Sequence, residues 1–144
     1  TVLWNIMIKF NHKVRILYRD IDYMGIVYYS RYFEYFEAAR NEMLRSIDLP
    51  YTEFEKRGNA MPVVESYCKY REGARYDDVL IVSSKVTEFP RSRIKIEYTI
   101  RRQNSDIIIA DGYTIHAFMN AKGRASKPPT YFLKALEKSW KDYE

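Results

Sequence analysis

The sequence predicts an α+β fold, a five-stranded antiparallel sheet with one long helix against a face and a second helix closing the chain. Three observations carry this. Apolar spacing changes from a period of two over residues 12–18 to a helical period over residues 30–47. Four β-rich runs, separated by short polar turns, follow that helix. One of them, Ser92 to Arg102, alternates cleanly, as a strand with one buried and one wet face does.

The elements follow in order. Val14, Ile16 and Tyr18 alternate against Lys13, Arg15 and Leu17, which predicts a first strand from His12 to Tyr18. An Asp- and Gly-containing turn comes next. Tyr32, Phe36, Ala39, Met43 and Ile47 then fall on one helix face, widened by Phe33, Ala38 and Leu44. Glu34 and Glu37 stand early in this helix and Arg40 and Arg45 late, as the helix dipole favours. Pro50 lies just past its end. A short helix over Tyr51–Arg57 should stop at Gly58. Strands are expected in Met61–Tyr70, Asp78–Glu88, Ser92–Arg102 and Asp106–Asn120, and an amphipathic helix in Tyr131–Trp140. Strands grouped after a helix argue for α+β and against a doubly wound parallel sheet.

With 144 residues and neither a repeat nor a linker-like stretch, the chain reads as one domain over residues 1–144. Hydrophobic residues at 47% and charged residues at 30% exclude a disordered chain. A single cysteine, Cys68, excludes an internal disulfide framework and fits a reducing compartment. No apolar run reaches the ~18 residues of a membrane span, and the first residues lack a signal-peptide pattern, so a cytoplasmic location without integral membrane association is expected. The net charge of +5 is spread along the chain and shows no aromatic-interleaved nucleic-acid motif, so no nucleic-acid partner is expected.

The stretch "YRDIDYMGIVYYSRYFEYFEAAR" concentrates the chemistry. As a calcium loop it fails, because Met24 and Arg31 occupy positions where oxygen ligands belong. Two readings then stand side by side. Asp22 or Ser30 caps the helix, or Asp22 is a catalytic carboxylate beside helix-start amides that hold a developing oxyanion. Local chemistry does not choose between them. Zinc is not indicated, since two histidines and one cysteine show no ligand spacing. Cys68 reads as a small buried hydrophobe and His116 as a packed or interface histidine.

The pattern "YRDIDYMGIVYYSRYFEYFEAARNEMLR", with "YREGARYDDVLIV" and a last likeness near "GRASKPP", resembles the hotdog-fold acyl-CoA thioesterases of the 4-hydroxybenzoyl-CoA thioesterase family, including the Tol-Pal-associated branch. The resemblance covers roughly Phe10 to Leu136. It implies a hotdog fold, in which the sheet wraps the long helix, and dimers with joined sheets, commonly paired into tetramers, with active sites at the subunit interface. It maps the catalytic carboxylate to Asp22, the turn glycine to Gly25, and the carbonyl-polarising amide to about Tyr29. Tyr18 matches a tyrosine of the Tol-Pal branch that would orient the carboxylate, although an ordinary strand-end aromatic fits equally. Many members of that branch carry His where this chain has Tyr29.

The substrate implied is an acyl-CoA or acyl-carrier-protein thioester, with no cofactor beyond the coenzyme A of the substrate. Met24, Ile26, Val27 and Phe33 are candidates for an acyl pocket, though they would serve equally as core. Arg91 and Arg93 in one turn, and Lys127 with Lys122 and Arg124 in another, are candidates for the coenzyme phosphates. A hotdog hydratase, which ordinarily pairs Asp with His, and a non-catalytic acyl-binding module are the rival readings.

Overall fold

The structure, a computed structural model, describes residues 6–142. Strand β1 (Ile6–Arg15) leads through a single 3-10 turn (Tyr18–Asp20) to helix α1 (Arg31–Ser46) and short helix α2 (Tyr51–Arg57). Strands β2 (Val63–Tyr70), β3 (Val79–Val86), β4 (Ile94–Arg102) and β5 (Ile108–His116) follow. Two-residue strands β6 (Phe118–Met119) and β7 (Ala125–Ser126), helix α3 (Thr130–Ser139) and two-residue strand β8 (Lys141–Asp142) complete the order. The sheet runs β2-β5-β4-β3-β1, antiparallel throughout, with β8 added outside β1.

Helix α1 is the helix the periodicity predicts. All five residues of its expected stripe are buried, and Tyr35 joins them. The stripe lies on the inner face of the sheet, where Phe36 stacks on Tyr98 of β4 at 4.2 Å with ring planes 7° apart. Ile94, Ile96, Tyr98 and Ile100 are all buried, so β4 has the wet and dry faces its alternation requires.

Two boundaries differ from expectation for physical reasons. Strand β1 begins earlier and ends at Arg15, because its length is set by pairing from Ile8↔Val86 to Arg15↔Val79. The chain turns at Leu17, and Tyr18 lies in the 3-10 turn instead of on a strand. The run Asp106–Asn120 divides at Ala117, whose amide bonds to the Pro62 carbonyl, so Phe118 and Met119 leave the main sheet to pair with β7.

β2 forms one edge of the sheet and stays open to solvent along its length, with Val63, Val64, Tyr67 and Tyr70 all exposed. At Gly112 of β5 an added Cβ would stand 2.0 Å from the Tyr67 carbonyl oxygen, so only glycine lets β5 approach β2 this closely.

Candidate active site

The site is built on the connection between β1 and α1. Asp20 is buried, and its carboxylate accepts the Leu17 amide at 2.8 Å, with Arg31 at 3.8 Å. Its carbonyl accepts the Tyr28 amide. Asp20 thus ties both ends of the intervening loop together, the structural role its place in a turn implied.

Between those ties, residues 21–27 form a small hairpin closed by the Ile21↔Val27 bridge. The Asp22 amide donates to the Ile26 carbonyl, and the Gly25 amide to the Asp22 carbonyl. Gly25 has φ 81, a left-handed conformation that glycine adopts without a Cβ penalty. Asp22 Oδ1 accepts the Met24 amide at 2.8 Å and the Ile26 amide at 3.5 Å. Among the described residues Oδ2 accepts none. The carboxylate is therefore oriented by its own loop and leaves one oxygen free.

Asp22 lines a cleft of about 240 Å³ with Ile26, Val27, Tyr28, Tyr29, Tyr32, Tyr70, Glu72 and Gly73. Tyr28 and Tyr29 lie tilted against each other with ring centroids 4.7 Å apart, and Tyr70 lies edge-on to Tyr32 at 5.1 Å. Burial pushes the Tyr70 phenol up to about 12, so it stays protonated and donates to the Tyr29 carbonyl at 3.1 Å.

The amides at the start of α1 are partly used. Arg31, Tyr32 and Phe33 donate to the carbonyls of Tyr28, Tyr29 and Ser30. The Tyr29 and Ser30 amides donate to no acceptor among the described residues. Ser30 makes no side-chain cap, and Asp22 spends its carboxylate on its own hairpin, so neither caps α1.

The other candidates separate. Met24 is 66% exposed and does not line the cleft, whereas Ile26 and Val27 do. Phe33 packs on the core, edge-on to Phe36, and is not a cleft residue. Tyr18 is exposed and lies edge-on to Tyr76, and its hydroxyl makes no bond to Asp22 among the described residues. The backbone, not Tyr18, orients Asp22. Arg91 and Arg93 share a groove with Lys95 and Phe89, at the β3–β4 turn. Lys127 is exposed beyond β7 and lies outside that groove.

Residues that sequence reasoning did not assign to the site are Tyr28, Tyr32, Tyr70, Glu72 and Gly73. Three of them stand in "YREGARYDDVLIV", so the signal was the second motif, read only as support. Burial raises the Cys68 thiol to about 11, which suits a packed side chain and not a nucleophile.

The family model for the thioesterase-like superfamily matches residues 16–136. The chain belongs to the thioesterase-like superfamily. An acyl-CoA thioesterase of Haemophilus influenzae is 35% identical over 94 residues, covering 65% of this chain and 69% of that one. A hypothetical protein of Thermus thermophilus has a structure that superposes with a TM-score of 0.84 at 31% identity, covering 90% of this chain and 98% of that one. A 4-hydroxybenzoyl CoA thioesterase superposes with a TM-score of 0.80 at 22% identity, covering 90% and 99%, a likeness of fold. The fold is the hotdog fold of these thioesterases.

Proposed function

We propose that the protein hydrolyses acyl-CoA thioesters, with Asp22 as the catalytic carboxylate. The observation that carries this is a carboxylate held through one oxygen by backbone amides, in the same cleft as Tyr29, whose amide is unspent at a helix start. An amide at Tyr29 polarises the thioester carbonyl and takes up the negative charge of the tetrahedral intermediate. Asp22 Oδ2 either bonds to the acyl carbon as coenzyme A leaves as a thiolate, giving a mixed anhydride that water cleaves, or takes a proton from the attacking water. Both routes use the same oxygen and need no metal or added cofactor.

The hydratase reading loses its second catalytic group. His116 lies in β5 with both ring nitrogens engaged, and the cleft lining contains no histidine. Membership of the Tol-Pal-associated branch is part of this proposal. It is supported by the matching Tyr18, although Tyr29 replaces that branch's histidine.

The working unit we propose is a dimer that joins two β2 edges. An open edge with four exposed apolar or aromatic side chains is a surface that proteins cover. The geometry of the cation groove favours the same arrangement. Within one chain, the Arg91–Arg93 turn lies at the opposite end of β3 from Asp22, and eight strand residues span about 26 Å. Antiparallel β2–β2 pairing reverses the partner's sheet and sets that groove level with Asp22, where it can receive the phosphates of coenzyme A or of a carrier-protein arm. Lys127 remains in the proposal only as a peripheral cation. Cytoplasmic residence is likewise part of the proposal; no helix among the described residues is long and apolar enough to cross a membrane.

The test is steady-state hydrolysis across acyl-CoA chain lengths by wild type and Asp22→Asn. Turnover should fall at least roughly a hundredfold, the scale of a lost proton-transfer group, with the thermal midpoint little changed. Activity that survives the substitution removes Asp22 from the mechanism.

A further inference from the structure

A second cavity, of about 370 Å³, opens on the other end of the sheet from Asp22, between the C-terminal half of α1, α2 and the end of β5. Its walls include Arg40 and Asn41 from α1, Tyr51 and Phe54 from α2, and Met61 and His116.

The polar chain behind this wall has a fixed direction. The Met61 carbonyl can only accept, so His116 Nδ1 carries the proton of their 3.0 Å bond. Burial first, and the Arg40 charge after it, push His116 down to about 4, so the ring is neutral and Nε2 accepts. The Thr114 hydroxyl at 2.9 Å is then the donor to Nε2 and must accept from the Tyr98 hydroxyl at 2.7 Å. The Tyr98 oxygen in turn accepts from Arg40.

This chain satisfies its own members and contains no anion. Arg40 is the exception. Its side chain is only 14% exposed, and its one carboxylate neighbour among the described residues, Glu37, stands at 3.8 Å, is 65% exposed and also lines the cavity. Charge-assisted bonds between guanidinium and carboxylate are about 2.7–2.9 Å long and commonly bidentate. Arg40 makes no such bond among the described residues. A guanidinium that spends one donor on Tyr98 and has no close carboxylate among the described residues, in a wall of aromatic and apolar side chains, is complementary to a carboxylate at the end of a short carbon chain.

We propose that Arg40 selects acyl groups that end in a carboxylate, held in this cavity. The inference rests on the dimeric thioesterase reading: His116 of this cavity lies beside the start of β2 and Asp22 beside its end at Tyr70, so antiparallel β2 pairing would bring the partner's cavity to the end of the sheet that holds Asp22. The volume equals that of about twelve liquid waters at roughly 30 Å³ each, which accommodates a short dicarboxylic acyl group.

The experiment compares adipoyl-CoA with hexanoyl-CoA, matched in carbon number, and separately measures binding of free adipate by calorimetry. Wild type should favour adipoyl-CoA by at least tenfold in kcat/KM. Arg40→Met should lower that ratio at least tenfold and abolish adipate binding, while Arg40→Lys keeps part of both. If Arg40→Met fails to fold, Arg40→Lys and the wild-type ratio decide. Thioester hydrolysis without preference for adipoyl-CoA overturns the assignment, as does a ratio unmoved by either variant. Adipate binding lost in Arg40→Met, with no thioester cleaved, keeps the cavity and overturns the hydrolase reading instead.

Discussion

At one end of the sheet, Asp22 sits in a half-open hairpin; at the other, His116, Thr114 and Tyr98 form a buried chain under α1. The two clusters treat their polar groups in opposite ways. Asp22 is held through one oxygen by main-chain amides, which leaves the other unspent and near water. In the buried chain every hydroxyl and ring nitrogen has a partner, and the histidine is locked in one neutral tautomer. A group meant to react keeps free lone pairs, whereas one meant to hold packing in register spends them all. Burial of the histidine is therefore no sign of catalysis here, even though it pushes the ring's pKa well down.

The comparison is broken most directly by acid. His116 has an ordinary value of 6.5 and is pushed down to about 4 in the folded chain. Between those values the unfolded chain binds a proton that the folded chain refuses. The stabilisation from this group is thus complete above pH 6.5 and is lost as pH falls towards 4. The drop from 6.5 to about 4 corresponds to roughly 3.5 kcal/mol, at about 1.4 kcal/mol for each tenfold change in proton affinity. Urea unfolding at pH 7 and pH 4.5 should show wild type losing most of that amount beyond whatever His116→Gln loses. Parallel losses in the two proteins would mean that the ring is hydrated and titrates normally.

The hairpin end is more sensitive to backbone than to charge. At Gly25 an added Cβ would meet only Arg75 Nη1, at 4.0 Å, so the space is open and only the left-handed φ of 81 resists a side chain. Gly25→Ala should cost about 1–2 kcal/mol, the scale of that conformational penalty. Gly25→Asn should cost clearly less, since asparagine tolerates the conformation. Equal losses from the two substitutions, read from urea midpoints, would show that space and not dihedral strain sets the cost.

The same contrast explains what the sequence made legible. The long helix could be read because five residues repeat with a period that burial enforces, and β4 because its alternation separates two faces. Asp20 and Asp22 could be told apart only by resemblance, since a buried tie and a free carboxylate use the same side chain two residues apart. The cleft's far wall was hidden for another reason. Tyr70 and Gly73 are more than forty residues from Asp22 in the chain, and the Val27–Ala74 backbone bond and the Ile26↔Arg75 bridge bring their loop to the hairpin. The start of β1 was missed because pairing length, not local pattern, determines it. Arg40 was legible only as a dipole-friendly charge, and its lack of a close partner is a property of the packed wall.

The finest distinction lies between the two unspent amides. The Tyr29 N–H shares a peptide plane with the Tyr28 carbonyl, which the Arg31 amide pins at 2.9 Å. The Ser30 N–H shares a plane with the Tyr29 carbonyl, which accepts the Tyr70 hydroxyl at 3.1 Å and the Tyr32 amide at 3.3 Å. Tyr70→Phe therefore loosens only the plane that carries Ser30. If Tyr29 is the donor to the thioester carbonyl, Tyr70→Phe should lower kcat/KM by less than about tenfold, the equivalent of one ordinary hydrogen bond of about 1 kcal/mol. A loss near that of Asp22→Asn would transfer the oxyanion contact to Ser30, because no other bond of Tyr70 touches the backbone of the helix start.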